Sequence, residues 1–176
     1  ASCPECRFFI SPGNHDPLTA GSPYRTMHLP ENVFVFGSEK QRVRLEDLGV
    51  DVYGFGFDGR NGGANPVLGY PKLDPSKINV LCCHGDLEGG NGSPYCPFTL
   101  ADLERSGFDY VALGHIHKTG SFRSGDAFCA WPGCAMGRGY DEFGEKGVLV
   151  VTVDEDVSAR FLPLDTPKFF DISVDT

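Results

Sequence analysis

Residues 78–86 read INVLCCHGD: six uncharged and largely apolar residues, Ile78–Cys83, then a histidine, a glycine and an aspartate. An apolar run of this length, stopped by glycine, predicts a strand covered on both faces, as in a parallel sheet with layers above and below it. His84 then falls at the strand's C-terminal exit. In open α/β sheets that edge is where ligand sites are built.

The same arrangement recurs on either side. Upstream, Phe8-Phe9-Ile10 leads into SPGNHDP, with Gly13-Asn14-His15-Asp16 at its centre. Downstream, Val111–Leu113 leads into Gly114-His115-Ile116-His117. Four of the five histidines thus sit at strand exits beside a glycine, and only His28 falls in a loop without such a setting. Imidazole nitrogen with carboxamide or carboxylate oxygen suits Mn²⁺, Fe or Zn²⁺. Glycine lets the backbone bend and approach a metal or phosphate closely. Asn14 can offer its carboxamide oxygen while His15 points elsewhere, and Asp16 is placed to orient His15. His115 and His117, two apart in an extended segment, point to the same side and can serve one metal or a neighbouring pair.

Around these motifs the pattern predicts strands at Arg7–Ser11, Val33–Phe36, Val43–Leu45, Val50–Phe57, Tyr110–Leu113, Gly147–Val153 and Ala159–Leu164. Residues 12–32 and Gly59–Pro71 read as loops. One helix is expected, Leu100–Ser106, with Thr99 as N-cap and Gly107 as stop. The fold class is α/β.

At 176 residues the chain can bury a sizeable core. No stretch approaches the roughly 20 apolar residues of a membrane span. A net charge of −9 argues against a broad polyanion-binding face of the chain's own. Seven cysteines, an odd number with an adjacent pair inside a strand, do not form a secreted disulfide framework and point to a reducing cytoplasm. Cys3-Pro-Glu-Cys6 with Cys129 and Cys134 has a poor spacing for zinc, so small buried hydrophobes are the expected role. Trp131 is expected in the core, and Asp141, Glu142 and Glu145 as a solvated acidic loop.

Gly-Asn-His-Asp, then strand-His, then Gly-His-x-His resembles the motif order of the calcineurin-like metallophosphoesterases. VYGFGF (52–57), LGHIHK (113–118) and WPGCAMGRGYDEFGEKGVLVVTV (131–153) are most similar to the SbcD-type DNA-repair exonuclease branch. The resemblance runs from about residue 7 to about residue 165. It implies a four-layer α/β/β/α sandwich, of which residues 1–165 are the strand-rich C-terminal portion and 166–176 an exit segment toward an absent cap domain. It further implies two divalent cations, with Mn expected and Fe or Zn as alternatives. Asn14, His84 and His115 would hold one and His117 the other, with His15 and Asp16 catalytic and Arg138 on the substrate phosphate. The implied reaction is hydrolysis of a phosphodiester, DNA for a nuclease subunit, in the cytoplasm, with an ATPase partner subunit and a homodimer. A phosphatase or small-molecule phosphodiesterase, and a non-enzymatic scaffold on the same fold, are the competing readings. The Asp-x-His and Gly-Asp motifs that should precede Gly13 are not in residues 1–12. The expectation is therefore of a truncated chain that binds at most one cation and is inactive alone.

Overall fold

The structure, a computed structural model, describes residues 3–59, 64–89, 93–164 and 167–173. Its elements in chain order are β1 (Phe8–Ile10), α1 (Pro23–Thr26), β2 (Val33–Val35), β3 (Gln41–Leu45), β4 (Val50–Gly54), β5 (Ile78–His84), β6 (Asp86–Leu87) and β7 (Pro97–Phe98). There follow α2 (Leu100–Glu104), β8 (Tyr110–Gly114), β9 (Gly120–Ser124), β10 (Ala127–Trp131), β11 (Gly147–Val153) and β12 (Val157–Pro163).

The centre is a six-stranded mixed sheet in the order β3-β4-β5-β8-β10-β9. Strands β4, β5, β8 and β10 run parallel, and β3 and β9 are antiparallel at the two edges. Four strand exits therefore open onto one edge: Phe55 after β4, His84 ending β5, His115 after β8 and Pro132 after β10. Register places His84 directly beside Gly114. In β5, Asn79, Leu81 and Cys83 are buried on one face while Ile78, Val80, Cys82 and His84 are half-buried on the other. Both faces are covered, unequally, which accounts for the unbroken apolar run.

The core on the more buried face gathers Tyr53, Leu81, Phe98, Leu103, Phe108, Val111 and Leu113. Tyr53, Tyr70 and Phe108 meet edge to face with centroids 5.4–5.6 Å apart, an arrangement favoured by the ring quadrupoles. The β1–β2 parallel pair and the β11–β12 hairpin stand apart from the main sheet. Among the described residues the helices are the short α1 and α2 alone.

Several boundaries differ from the sequence reading. Phe55–Phe57 leaves the ladder after Gly54, because Gly56 and Phe57 turn their N–H groups to Gly37 O (2.6 Å) and Pro12 O (2.9 Å). The segment 12–32 holds the one-turn α1, begun by a proline at its first position. Helix α2 ends at Glu104, two residues short of the expected Ser106. Of the exit segment, residues 167–173 carry no regular structure, while 166 and 174–176 lie outside the described residues.

Cysteine roles split. Cys83, Cys96 and Cys129 are buried hydrophobes as expected, but Cys3 and Cys6 are not. A turn with Cys6 N–H on Cys3 O brings them together as a disulfide at the surface. Cys129 lies in the core cluster and Cys134 beside Glu142, so no four-cysteine site forms. No helix among the described residues is long and apolar enough to cross a membrane.

The N-cap of α2 is closed reciprocally. Thr99 Oγ1 accepts from Asp102 N–H at 3.2 Å, and Asp102 Oδ2 accepts from Thr99 N–H and Asn65 Nδ2, each at 2.9 Å. Although burial opposes it, the Thr99 and Asn65 hydrogen bonds hold the Asp102 pKa below its ordinary value. A carboxylate so depressed contributes stability that is present above its unfolded pKa, about 3.9, and is lost as pH falls through the folded value. Thr99→Ala is expected to destabilise the chain by about 1 kcal/mol, read by urea denaturation. In Asp102→Asn the loss of stability on acidification below pH 4 should be shallower than in the wild type.

Candidate metal centre

The loop that follows β1 is tied to the exit of β4. Ser11 Oγ donates to Phe55 O at 2.6 Å, Phe57 N–H to Pro12 O at 2.9 Å, and Leu18 N–H to Phe57 O at 2.7 Å. These bonds carry Asn14 across to β5, where its Oδ1 meets His84 Nε2 at 2.8 Å. The His115 ring lies 5.1 Å from the His84 ring, centroid to centroid, and 5.0 Å from the Tyr95 ring. Residues from three separate strand exits thus converge on one spot.

Glycine makes the approach possible. A Cβ on Gly13 would lie 2.6 Å from His84 Nδ1, and one on Gly114 would lie 2.8 Å from the same atom. Burial, with the nearby His115, lowers the His84 pKa to about 4. Burial lowers that of His115 also. Both rings are therefore held neutral near pH 7, the form in which imidazole ligates metal.

His115 and His117 part company. His115 has φ +90°, a strained value for a residue with a side chain. The chain is not extended there, and the expectation that both histidines share one side fails. His115 turns toward His84, whereas His117 Nδ1 meets Glu142 Oε1 at 2.8 Å. Arg138 donates its backbone N–H to Glu142 Oε2 at 2.8 Å, and its Nη2 lies 3.4 Å from Oε1. An open groove of about 420 Å³ runs past His115, His117, Cys134, Met136 and Arg138.

An uncharacterized metallophosphoesterase of Bacillus subtilis, YhaO, is 36% identical to this chain over 155 residues, which is 85% of the chain and 38% of that protein. The chain belongs to the metallophosphoesterase family. The D subunit of the SbcCD nuclease of Staphylococcus epidermidis is 29% identical over 103 residues, covering 53% of the chain and 27% of that subunit. The aligned stretches are thus well under half of either relative. No family model matches.

Set against this metallophosphoesterase frame, two sequence readings change. Asp16 does not orient His15: its Oδ1 accepts from Gly13 N–H at 2.8 Å and its Oδ2 from Tyr24 O–H at 2.6 Å. Burial and the Asp16 bond push the Tyr24 pKa up to about 12, so the phenol stays a donor. The carboxylate therefore braces the loop, and His15 is left exposed at its tip. Glu142 is not solvated but buried, at 9% exposure. Asp141 and Glu145, by contrast, are exposed. Nothing in the local pattern separates the three acids; only the return of the 132–142 loop onto His117 does so. Tyr24 and Tyr95 likewise carried no sequence signal.

Proposed function

We propose that the chain carries the catalytic face of a metal-dependent phosphodiester hydrolase, of the SbcD nuclease type, acting on DNA. The observation that carries this reading is the meeting of Asn14 Oδ1 with His84 Nε2 at 2.8 Å, with the His115 ring edge to face 5.1 Å away. The donor set fits a divalent cation: one carboxamide oxygen and neutral imidazoles, with the His84 ring seated where a Cβ at Gly13 or Gly114 would strike it. In this reading Asn14, His84 and His115 hold one cation, His117 belongs to a second, and Mn²⁺ is the expected metal. When bound, the cations supply charge neutralisation at the phosphoryl oxygens and an acidified water.

The chain's own residues then divide the work. His15 hands its ring proton to the leaving oxygen. Asp16, through Gly13 N–H and Tyr24 O–H, holds the loop that presents both His15 and Asn14. Arg138, whose side chain is 61% exposed, reaches the substrate phosphate from the groove. An α/β/β/α framework around the six-stranded sheet, and a partner subunit of the kind the nuclease's name implies, belong to the same proposal.

The net charge of −9 favours a second reading, a small-molecule phosphodiesterase. With Mn²⁺ present, a bis-aryl phosphate, a mono-aryl phosphate and duplex DNA separate the two. Turnover of the diester and DNA by the full-length protein, lost in Asn14→Ala, is the expected result, with the chain alone inactive. Hydrolysis of the monoester alone would remove the nuclease assignment.

A further inference from the structure

Glu142 sits beside the Nδ1 edge of His117. Its two oxygens take four approaches: His117 Nδ1 at 2.8 Å, the Arg138 N–H at 2.8 Å, Arg138 Nη2 at 3.4 Å and the Cys134 thiol at 3.6 Å. An ionised carboxylate is an acceptor only, so each of these groups must present a proton to it. One oxygen faces the Arg138 backbone N–H and the other the Arg138 guanidinium, the partners of an ionised carboxylate.

His117, Cys134 and Glu142 could be taken for a cation site of their own, since their donor atoms lie within 4.8 Å of one another. The cation already there is the Arg138 guanidinium, 3.4 Å from both His117 Nδ1 and Glu142 Oε1. It repels a metal ion at that point. The cluster is a hydrogen-bonded hub, with its lone pairs committed to protein donors.

We propose that Glu142 is a positioning residue: it takes the Nδ1 proton of His117, fixes that tautomer, and leaves Nε2 with a free lone pair on the other side of the ring. The same carboxylate ties the loop carrying Arg138 to the loop carrying His117. The side chain of His117 is 47% exposed, so without Glu142 neither its ring orientation nor its tautomer is set by packing. This role rests on the reading of His117 as a ligand. Outer-shell carboxylates of this kind act by orienting the ring and raising its basicity.

The test uses the whole chain labelled with ¹⁵N-histidine, metal-free, at pH 8, with His117 signals assigned by their disappearance in His117→Gln. Long-range ¹H–¹⁵N correlations read the tautomer directly. The wild type should show His117 protonated on Nδ1. Glu142→Ala should release it to the mixture of a free imidazole and weaken Mn²⁺ binding at the His117 cation position about 10–100-fold. Glu142→Gln, which keeps an acceptor oxygen, should retain the Nδ1–H form. A wild-type His117 protonated on Nε2 overturns the proposal whether or not the variants fold. Release of the tautomer with Mn²⁺ affinity unchanged overturns the role of Glu142 alone. A pinned Nδ1–H in a chain that binds no Mn²⁺ overturns the metal reading and this role with it.

Discussion

His84→Ala is expected to lower the Mn²⁺ affinity of the chain by more than about 100-fold, beyond the loss that follows from removing an outer-shell partner. The ring is the point at which the other groups meet. Asn14 Oδ1 is bonded to its Nε2, the His115 ring lies 5.1 Å away, and Phe57 meets it edge-on at 5.4 Å. Removing it takes away one donor and frees the Asn14 carboxamide to rotate. The space that Gly13 and Gly114 leave for the ring is also left empty. His28→Ala is the matching control, an exposed loop histidine outside the site. Isothermal titration with Mn²⁺, alongside thermal melts to confirm folding, decides the matter. An affinity in His84→Ala within threefold of the wild type would remove His84 from the ligand set.

The strand exits that carry this site were legible because two independent signals coincide there. Apolar runs end in a histidine or asparagine next to a glycine, and the parallel register of β4, β5 and β8 does the rest. Two kinds of information stayed hidden. The first is local geometry that overrides a period: His115 at φ +90° breaks the alternation that would have aligned it with His117. The second is long-range pairing of ordinary residues. Asp16 finds Tyr24, Glu142 finds His117, and Asn65 finds the Asp102 of a capping box. A charged residue in a Gly-rich loop reads as solvated until the fold brings a donor to it. The Cys3–Cys6 pair erred in the other direction, since a surface turn rather than a core determines its state.

Gly54→Ala is expected to destabilise the chain by about 3 kcal/mol, the upper end for overpacking, or a melting shift of roughly 6–12 °C. A Cβ there would lie 2.5 and 2.6 Å from Phe36 Cδ2 and Cε2, and 2.8 Å from Cys82 O. Neither neighbour can retreat. Phe36 is fully buried and packs against Phe9 and Phe34, and Cys82 is the β5 residue paired with Gly54. Adding Phe36→Leu should relieve the ring contact and leave the carbonyl contact, so the double variant should recover part of the loss, a coupling of about 0.5–3 kcal/mol. The consequence reaches the site because Phe55 and Phe57, just after Gly54, anchor the loop that carries Asn14. Mn²⁺ affinity should therefore fall further in Gly54→Ala than in Thr99→Ala, whose cap lies on a different element. Urea denaturation and Mn²⁺ titration of both variants read the two effects separately. A Gly54→Ala chain within about 0.5 kcal/mol of wild type, the range of an ordinary surface change, would show that the β1–β2 pair is not locked to the sheet through Phe36.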